Sequence, residues 1–172
     1  RSLLNQYVVR SLFKWLYDRL DDYRTNELLS VQMGWFEGYR VDKAQNPVVW
    51  LQKVAEGKST EYHGSGADNR ESNSLWEIGF IFGSRQGKKS SEDYDLNVRL
   101  EGRIRDILEG DVENSTVENA LVGAPLYSWD LNAVPPATIV KIGTCRISNV
   151  QSQVLQAPGT SMGSKFSTVF TF

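Results

Sequence analysis

Apolar and polar residues alternate along this chain with two different periods, and these periods predict its helices and strands. From Leu3 to about Tyr23, apolar residues recur every three or four positions, with charged and amide side chains on the opposite side. This spacing is typical of an amphipathic helix. A second stripe with the same spacing begins at Leu96 and predicts another helix, which ends at Gly110.

Two capping patterns indicate where the later helices begin. Ser90 and Asp93 have the spacing of a capping box, in which side chains bond the free backbone N–H groups at a helix start. Ser115 and Glu118 repeat this spacing and predict a short helix that stops near Gly123. The helical part of the chain is therefore predicted to be two longer helices and one short one.

Five segments have the apolar alternation or the β-branched and aromatic content of strands. In chain order they are the alternation at Val31, Met33 and Trp35, then VVWLQKVAEG after Pro47, LWEIGFIFG from Leu75, TIVKIGTCRISNV from Thr138, and the final KFSTVFTF. The second and third are separated by a polar run rich in Gly, Ser and Asn, which predicts a hairpin with a long exposed loop at about 57–74. The run QSQVLQAPGTSMGSK at 151–165 is predicted to be a loop.

An α+β arrangement would bury all these apolar stripes with the fewest assumptions: a mostly antiparallel sheet, with the long N-terminal helix and the second helix packed on one face. We predict a single domain over residues 1–172. A chain of this length buries roughly 70% of the surface that its unfolded form exposes. It therefore has no need of a disulfide or a metal to hold it together.

Composition and charge narrow the function classes. The chain is 40% hydrophobic and 23% charged, as soluble globular proteins are, and its net charge of −2 gives no overall attraction to nucleic acid or acidic membranes. Charges such as Arg10 and Asp18 interrupt the N-terminal stretch, so it is neither a signal-peptide core nor a membrane span. With one cysteine, Cys145, and one histidine, His63, the chain has no disulfide framework and no cysteine- or histidine-rich metal cluster.

The sequence shows no set of nucleophile, base and orienting group of the kind that an enzyme needs. His63 lies in the polar run and is interpreted as a solvated loop residue, and Cys145 as a buried small apolar residue. Two carboxylates do stand among aromatic residues, Glu37 in WFEGY and Glu77 in LWEIGF, and such a pair is able to flank a glycosidic bond. A small carbohydrate-active enzyme is therefore an alternative to the simpler interpretation of outward-facing strand residues.

Three positive charges, Arg85, Lys88 and Lys89, form a turn beside Gly83 and Gly87. Such a cluster is able to contact phosphate or an acidic protein surface, although a charged turn also serves simply to keep a protein soluble. Together with exposed aromatic residues, it leaves a single-stranded nucleic-acid binder open as a further alternative.

The order of these segments resembles that of the tail terminator and neck proteins of long-tailed bacteriophages and related contractile machines. These proteins open with an amphipathic helix, continue with segments like NPVVWLQKVAEGKSTEYHG and LWEIGFIFG, and pass through a second helix like YDLNVRLEGRIRDILEG. They close with strands comparable to CRISNVQSQVLQAPG and KFSTVFTF. The likeness spans nearly the whole chain and rests on pattern and order rather than on a signature motif. The stretch APLYSWDLNAVPPA is longer than the family pattern at that point.

The resemblance implies a structural virion protein without enzymatic activity. It would form a ring, usually of six copies, that caps the tail tube and joins the tail to the head connector. Its partners would be further copies of itself, the tail tube, the sheath where there is one, and the connector proteins. Genome DNA would pass through the ring without sequence-specific binding, and no membrane, cofactor or metal is implied. The protein would assemble in the host cytoplasm and reside in the tail or neck, and another neck or connector component of the same particle is the alternative.

In such a ring, a terminal strand and a long hairpin that are incompletely paired in one subunit would complete their pairing against a neighbour. By analogy, the loop from Lys58 to Asn73 would face a neighbouring ring or subunit, and the basic turn would meet an acidic partner surface. The interface candidates are Tyr62, His63, Arg85, Lys88, Lys89, Phe166, Phe170 and Phe172.

Overall fold

The computed structural model describes residues 2–34, 46–58, 72–83, 85–110, 121, 124–127, 138–155 and 161–171. The helices are α1 (Ser2–Arg19), α2 (Asp21–Asn26) and α3 (Ser90–Glu109). The strands are β1 (Ser30–Met33), β2 (Val48–Lys58), β3 (Ser72–Gly83), β4 (Pro125–Tyr127), β5 (Thr138–Lys141), β6 (Thr144–Leu155) and β7 (Ser161–Thr171). Five strands form one sheet in the order β1-β2-β3-β7-β6, and β4 pairs with β5. The α+β prediction is therefore confirmed.

The five-stranded sheet is mostly antiparallel, as predicted. Only β1 and β2 run parallel among its described pairs. The predicted hairpin of β2 and β3 is confirmed, because its ladder runs from Val48↔Ile81 to Lys58↔Ser72. The residues of the predicted loop between these ladder ends, 59–71, lie outside the described ranges.

The C-terminal strand occupies the interior of the sheet rather than an edge. β7 pairs with β3 on one side and with β6 on the other, along its whole length from Ser161 to Thr171. The expectation that this strand completes its pairing against a neighbouring molecule is therefore wrong, because β6 of the same chain is its partner. The prediction of a loop at 151–165 is wrong for residues 151–155 and 161–165, which pair with each other, and residues 156–160 lie outside the described ranges. A strand whose side chains face solvent carries polar residues, so it lacks the apolar alternation from which strands are predicted.

The hydrophobic core lies between the helices and one face of the sheet. α1 packs on β1 and β2, whereas α3 packs on β6 and β7. Alternate residues of β3 supply the centre of the sheet's buried face, as their period-two spacing predicted. The core side chains with at most 1% exposure include Leu12, Leu16, Leu20, Leu51, Trp76, Ile78, Phe80, Phe82, Leu96, Leu100, Ile104, Ile107, Leu108, Phe166 and Phe170.

The N-terminal helical stretch is divided into two helices. α1 ends at Arg19, Leu20 forms a turn, and α2 starts at Asp21. Leu20 is fully buried, so the turn is fixed in the core. The division directs α2 towards α3, where Asp22 contacts Arg103 at 3.0 Å.

α3 begins with half of a capping box. Its N-cap is Lys89, and Glu92 at the third helical position accepts a hydrogen bond from the Lys89 backbone N–H at 3.3 Å. A lysine side chain has no acceptor atom to complete the box. The predicted box at Ser90 and Asp93 is therefore displaced by one residue, and Asp93 contacts Arg85 instead. Gly110 ends the helix as predicted, with the positive φ of 84° that favours glycine.

The segment predicted as one strand from Thr138 is in fact two strands, β5 and β6. Between them, Ile142 is buried and donates its backbone N–H to the carbonyl of Ala124 at 3.1 Å. β4 is held against α1, because the indole N–H of Trp15 donates to the carbonyl of Pro125 at 2.9 Å. The short helix predicted from Ser115 falls mostly outside the described residues.

Candidate assembly surface

β6 forms the edge of the five-stranded sheet beside α3. Among the strands of the described ranges it pairs only with β7, so one row of its backbone N–H and C=O groups faces away from the sheet. An edge of 12 residues is a template for pairing with another strand. Proteins block such edges with bulges, charges or prolines where pairing is unwanted. The positions of these blocks along β6 therefore indicate which part of it is available.

The first half of β6 is blocked at three consecutive positions. Arg146 is exposed and charged. The backbone N–H of Ile147 donates to Oε1 of Glu109, in the last turn of α3, at 3.2 Å. Ser148 is the extra residue of a β-bulge, and its hydroxyl donates to a carbonyl of β7 at 3.0 Å. A second strand cannot continue a regular ladder through a bulge and an occupied N–H group.

Cys145 lies at the start of this blocked half, packed against the core. Burial and, to a smaller extent, the nearby Glu109 carboxylate raise the pKa of its thiol to about 12. The thiolate is the nucleophilic form of cysteine. Cys145 is partly buried against the core, which agrees with its interpretation as a small apolar residue, although its burial is less complete than predicted.

The second half of β6, residues 149–155, carries none of these blocks; we call it the open edge. Its sequence NVQSQVL contains no charge, proline or glycine. Asn149, Gln151 and Ser152 are exposed, and Gln151 and Ser152 point to opposite faces of the sheet because they are adjacent in the strand. Glu101 of α3 accepts hydrogen bonds from the hydroxyls of Ser152 at 3.3 Å and Ser164 at 3.1 Å. These side-chain bonds fix the open edge to α3 and β7.

Among the described strands, β1 forms the opposite edge of the same sheet. The backbone N–H groups of Ser30 and Gly34 donate to carbonyls of Pro47 and Leu51, at 3.0 and 2.8 Å. In a parallel ladder alternate residues face the partner, so the residues between these two positions that face away from β2 are Val31 and Met33. β1 contains no charge, proline or glycine, and the Met33 side chain is 48% exposed. Within the part of the chain that the structure describes, both edges of the sheet therefore have segments without blocking residues.

The predicted basic turn divides into one internal cation and two exposed ones. Arg85 is only 11% exposed, and its guanidinium contacts Glu27 at 2.6 Å and Asp93 at 2.7 Å. These contacts join the chain just after β3 to the end of α2 and the first turn of α3. The expectation that Arg85 meets an acidic partner is therefore corrected, because acids of its own chain hold it. Lys88 and Lys89 are exposed, and their contact with a partner remains a prediction.

Glu77, one of the two carboxylates of the carbohydrate hypothesis, lies on the sheet face opposite to the helices. Its Oε2 accepts a hydrogen bond from Gln52 at 2.7 Å, and its Oε1 contacts the Lys165 ammonium at 2.9 Å. The three side chains form a ladder across β2, β3 and β7. With donors on both oxygens, this carboxylate serves as an acceptor within the sheet, which favours the structural interpretation over a general acid. Glu37 lies outside the described residues.

Two of the remaining interface candidates are core residues. Phe166 and Phe170 are at 0% exposure in the cluster between the sheet and the helices. Their alternation does indicate a buried face, but helices of the same chain cover it, so the prediction of an interface is wrong for both. Tyr62, His63 and Phe172 lie outside the described residues.

Sequence reasoning missed the open edge and the role of Glu109. The first two residues of the open edge, Asn149 and Val150, were predicted as strand, but the run QSQVL that follows was assigned to a loop although it contains no Gly or Pro. Glu109 does carry one signal. An acidic side chain in the last turn of a helix faces the negative end of the helix dipole, so its presence indicates a specific partner. That partner is the N–H of Ile147.

The described residues contain no group of three or more His, Cys, Asp or Glu side chains placed to hold a metal ion. None of the helices in these ranges is both long and apolar enough to cross a membrane. In comparison with known proteins, no family model matches the chain. No curated protein matches it at a significant level.

Proposed function

We propose that this chain is a structural subunit that forms a ring with copies of itself, as a tail terminator or neck protein at the head-to-tail joint of a long-tailed phage or a related contractile machine. The observation that carries this proposal is the open edge of β6. Its sequence is uncharged, its side chains at Asn149, Gln151 and Ser152 are exposed, and Ser152 bonds to α3. A protein that keeps such an edge without blocks offers it to a strand of another molecule.

The position of the blocks further supports a specific contact rather than unspecific aggregation. Glu109 and the bulge at Ser148 end the available ladder at a defined residue. A partner strand cannot extend past these residues, which limits the registers in which it pairs. The register determines which faces of the joined strands coincide. A limited edge of this kind suits a contact that repeats identically between subunits.

In this role the subunit needs no catalytic group, because the work of the ring is geometric. Closure of a ring pairs every subunit edge with a neighbour, which removes the edges that would otherwise template further growth. Capping the end of the tail tube and presenting a surface to the head connector would follow from the ring. The order of helix, hairpin, second helix and closing strands is the order on which the resemblance to tail terminators rests, and this also supports the proposal.

The experiment is a measurement of solution mass by light scattering after size exclusion, over a range of concentrations, with negative-stain images of any large species. We expect closed rings of about six copies. For a variant with Asn149→Lys and Gln151→Lys, we expect the protein concentration needed for assembly to rise at least about tenfold, while the circular dichroism spectrum stays unchanged. Both side chains are exposed, and lysine disfavours edge pairing.

The matched control carries the same added charge away from the edge, as Thr25→Lys with Asn26→Lys at exposed positions of α2. This control should assemble as the wild-type chain does. A wild-type chain that stays monomeric at every concentration contradicts the proposal. So does an edge variant that assembles as well as the control.

A further inference from the structure

We infer that the subunits join head to tail within one continuous sheet: the open edge of β6 in one copy pairs with β1 of the next copy. This inference rests on the proposed function, since it names the two surfaces through which the ring would form. It commits to a second copy of this chain as the occupant of both edges.

The backbone groups needed for this contact are present on both strands. Val31 and Met33 direct their N–H and C=O groups away from β2, which leaves two donors and two acceptors on the outer side of β1. β1 has 4 residues, and it fits within the open edge, which is the part of the 12-residue β6 beyond its bulge. Glu109 and the bulge prevent the neighbour's β1 from sliding towards Thr144.

The faces of the two strands also match. On β1, Val31 packs partly against the core beneath the helices, whereas Ser30 is exposed on the opposite face. On β6, Val150 packs partly against the core, whereas Gln151 is exposed on the opposite face. A sheet that continues from β6 into a neighbour's β1 would therefore place apolar side chains beside apolar ones and polar beside polar. Such cross-strand agreement stabilises pairing and specifies register.

Symmetry favours unlike edges over like edges. Pairing of two β6 edges, or of two β1 edges, gives a two-fold dimer in which each copy keeps its other edge open. Pairing of β6 with β1 uses one edge of each kind. Every open chain of subunits then has an unpaired β6 edge at one end and an unpaired β1 edge at the other. Only a closed ring then has no open edge left. The head-to-tail contact is therefore the one that agrees with a ring.

The test mixes two variants, each with one edge blocked. Met33→Pro removes an outward N–H from β1 and leaves the N–H groups of Ser30 and Gly34 that bond β2. Asn149→Lys with Gln151→Lys blocks the open edge of β6. We expect each variant alone to be monomeric and an equimolar mixture to give a heterodimer of two subunits, while Met33→Ala, which keeps its N–H, should form the wild-type ring.

A second block of β1, Ser30→Lys with Gln32→Lys, leaves the backbone unchanged and should behave as Met33→Pro does. The inference is overturned if either blocked β1 variant still forms the ring, if it forms a homodimer through β6, or if the mixture stays monomeric. These outcomes leave the proposed ring in place where the wild-type chain assembles. Absence of wild-type assembly instead overturns the proposed function and this contact with it.

Discussion

The two faces of the central strand β3 are stabilised in different ways. Towards the helices, Ile78, Phe80 and Phe82 are fully buried, and their contribution comes from the apolar area removed from water. On the opposite face, Glu77 forms a ladder with its neighbours, and Gly79 lies beneath the indole ring of Trp50. The first face depends on buried volume, whereas the second depends on close fit and on hydrogen bonds. The two faces should therefore respond to different substitutions.

Phe80→Ala should produce the largest loss of stability, because it removes a fully buried ring at the centre of the sheet. We expect the free energy of unfolding to fall by about 3–5 kcal/mol, as measured by urea denaturation. The control is Tyr94→Ala on α3, where the side chain is 58% exposed and the expected change is below about 0.5 kcal/mol. Similar losses in both variants would show that the helix-covered face is not the main source of stability.

Gly163→Ala tests the fit between β7 and β3. A Cβ at this position would overlap the backbone oxygen of Phe80, and backbone atoms within a sheet cannot move aside easily. We expect a loss of about 2–3 kcal/mol, measured in the same denaturation series.

The matched control for this change is Gly102→Ala on α3. Apart from the neighbouring residues and the backbone of α3 itself, no atom lies within 4 Å of its added Cβ, so alanine should stabilise the helix by about 0.5–1 kcal/mol. Opposite signs for the two substitutions are the expected outcome. A loss at Gly102 equal to that at Gly163 would mean that backbone contact is not the cause.

The sequence predicted the helix-covered face well and the opposite face poorly, for a physical reason. Burial of one face imposes a period on the residues that contribute to it, so Trp76 and Phe82 could be assigned to a common side from their spacing alone. The contacts of Glu77 with Gln52 and Lys165 instead depend on the register of three strands, and no periodicity within one segment specifies that register.

The same limit explains the errors at the candidate site. Local sequence placed Arg85 on a basic turn, but its two acidic partners lie 58 and 8 residues away along the chain. Phe166 was correctly assigned to a buried face, although periodicity does not tell which element covers that face. The open edge of β6 was missed because its availability depends on the position of β6 in the sheet order, which is a property of the whole fold.

Arg85→Gln should have an intermediate effect, because it removes the cation between two carboxylates that are mostly shielded from solvent. Glu27 and Asp93 have side-chain exposures of 20% and 7%, so they would remain close together with their charges poorly solvated. We expect a loss of about 2 kcal/mol, below the value for a completely buried pair. Lys88→Gln, at an exposed position of the same turn, should change stability by less than about 0.5 kcal/mol. Equal losses of stability in the two variants would mean that Arg85 behaves as an exposed cation, as the sequence pattern indicates.

Glu77→Gln should have the smallest effect, because the amide keeps the shape of the carboxylate and one of its acceptor atoms. The bond from Gln52 is retained in one amide orientation, whereas the ion pair with Lys165 is lost. Lys165 is 33% exposed, so solvent already screens that pair, and we expect a loss of about 1 kcal/mol or less. The loss should shrink further in high salt, since screening weakens the ion pair in the wild-type chain but has little to act on in the variant. A loss of stability above about 3 kcal/mol that persists in high salt would show that this face depends on a desolvated charge. The two faces would then differ in the kind of interaction that stabilises them and not in how much each contributes to stability.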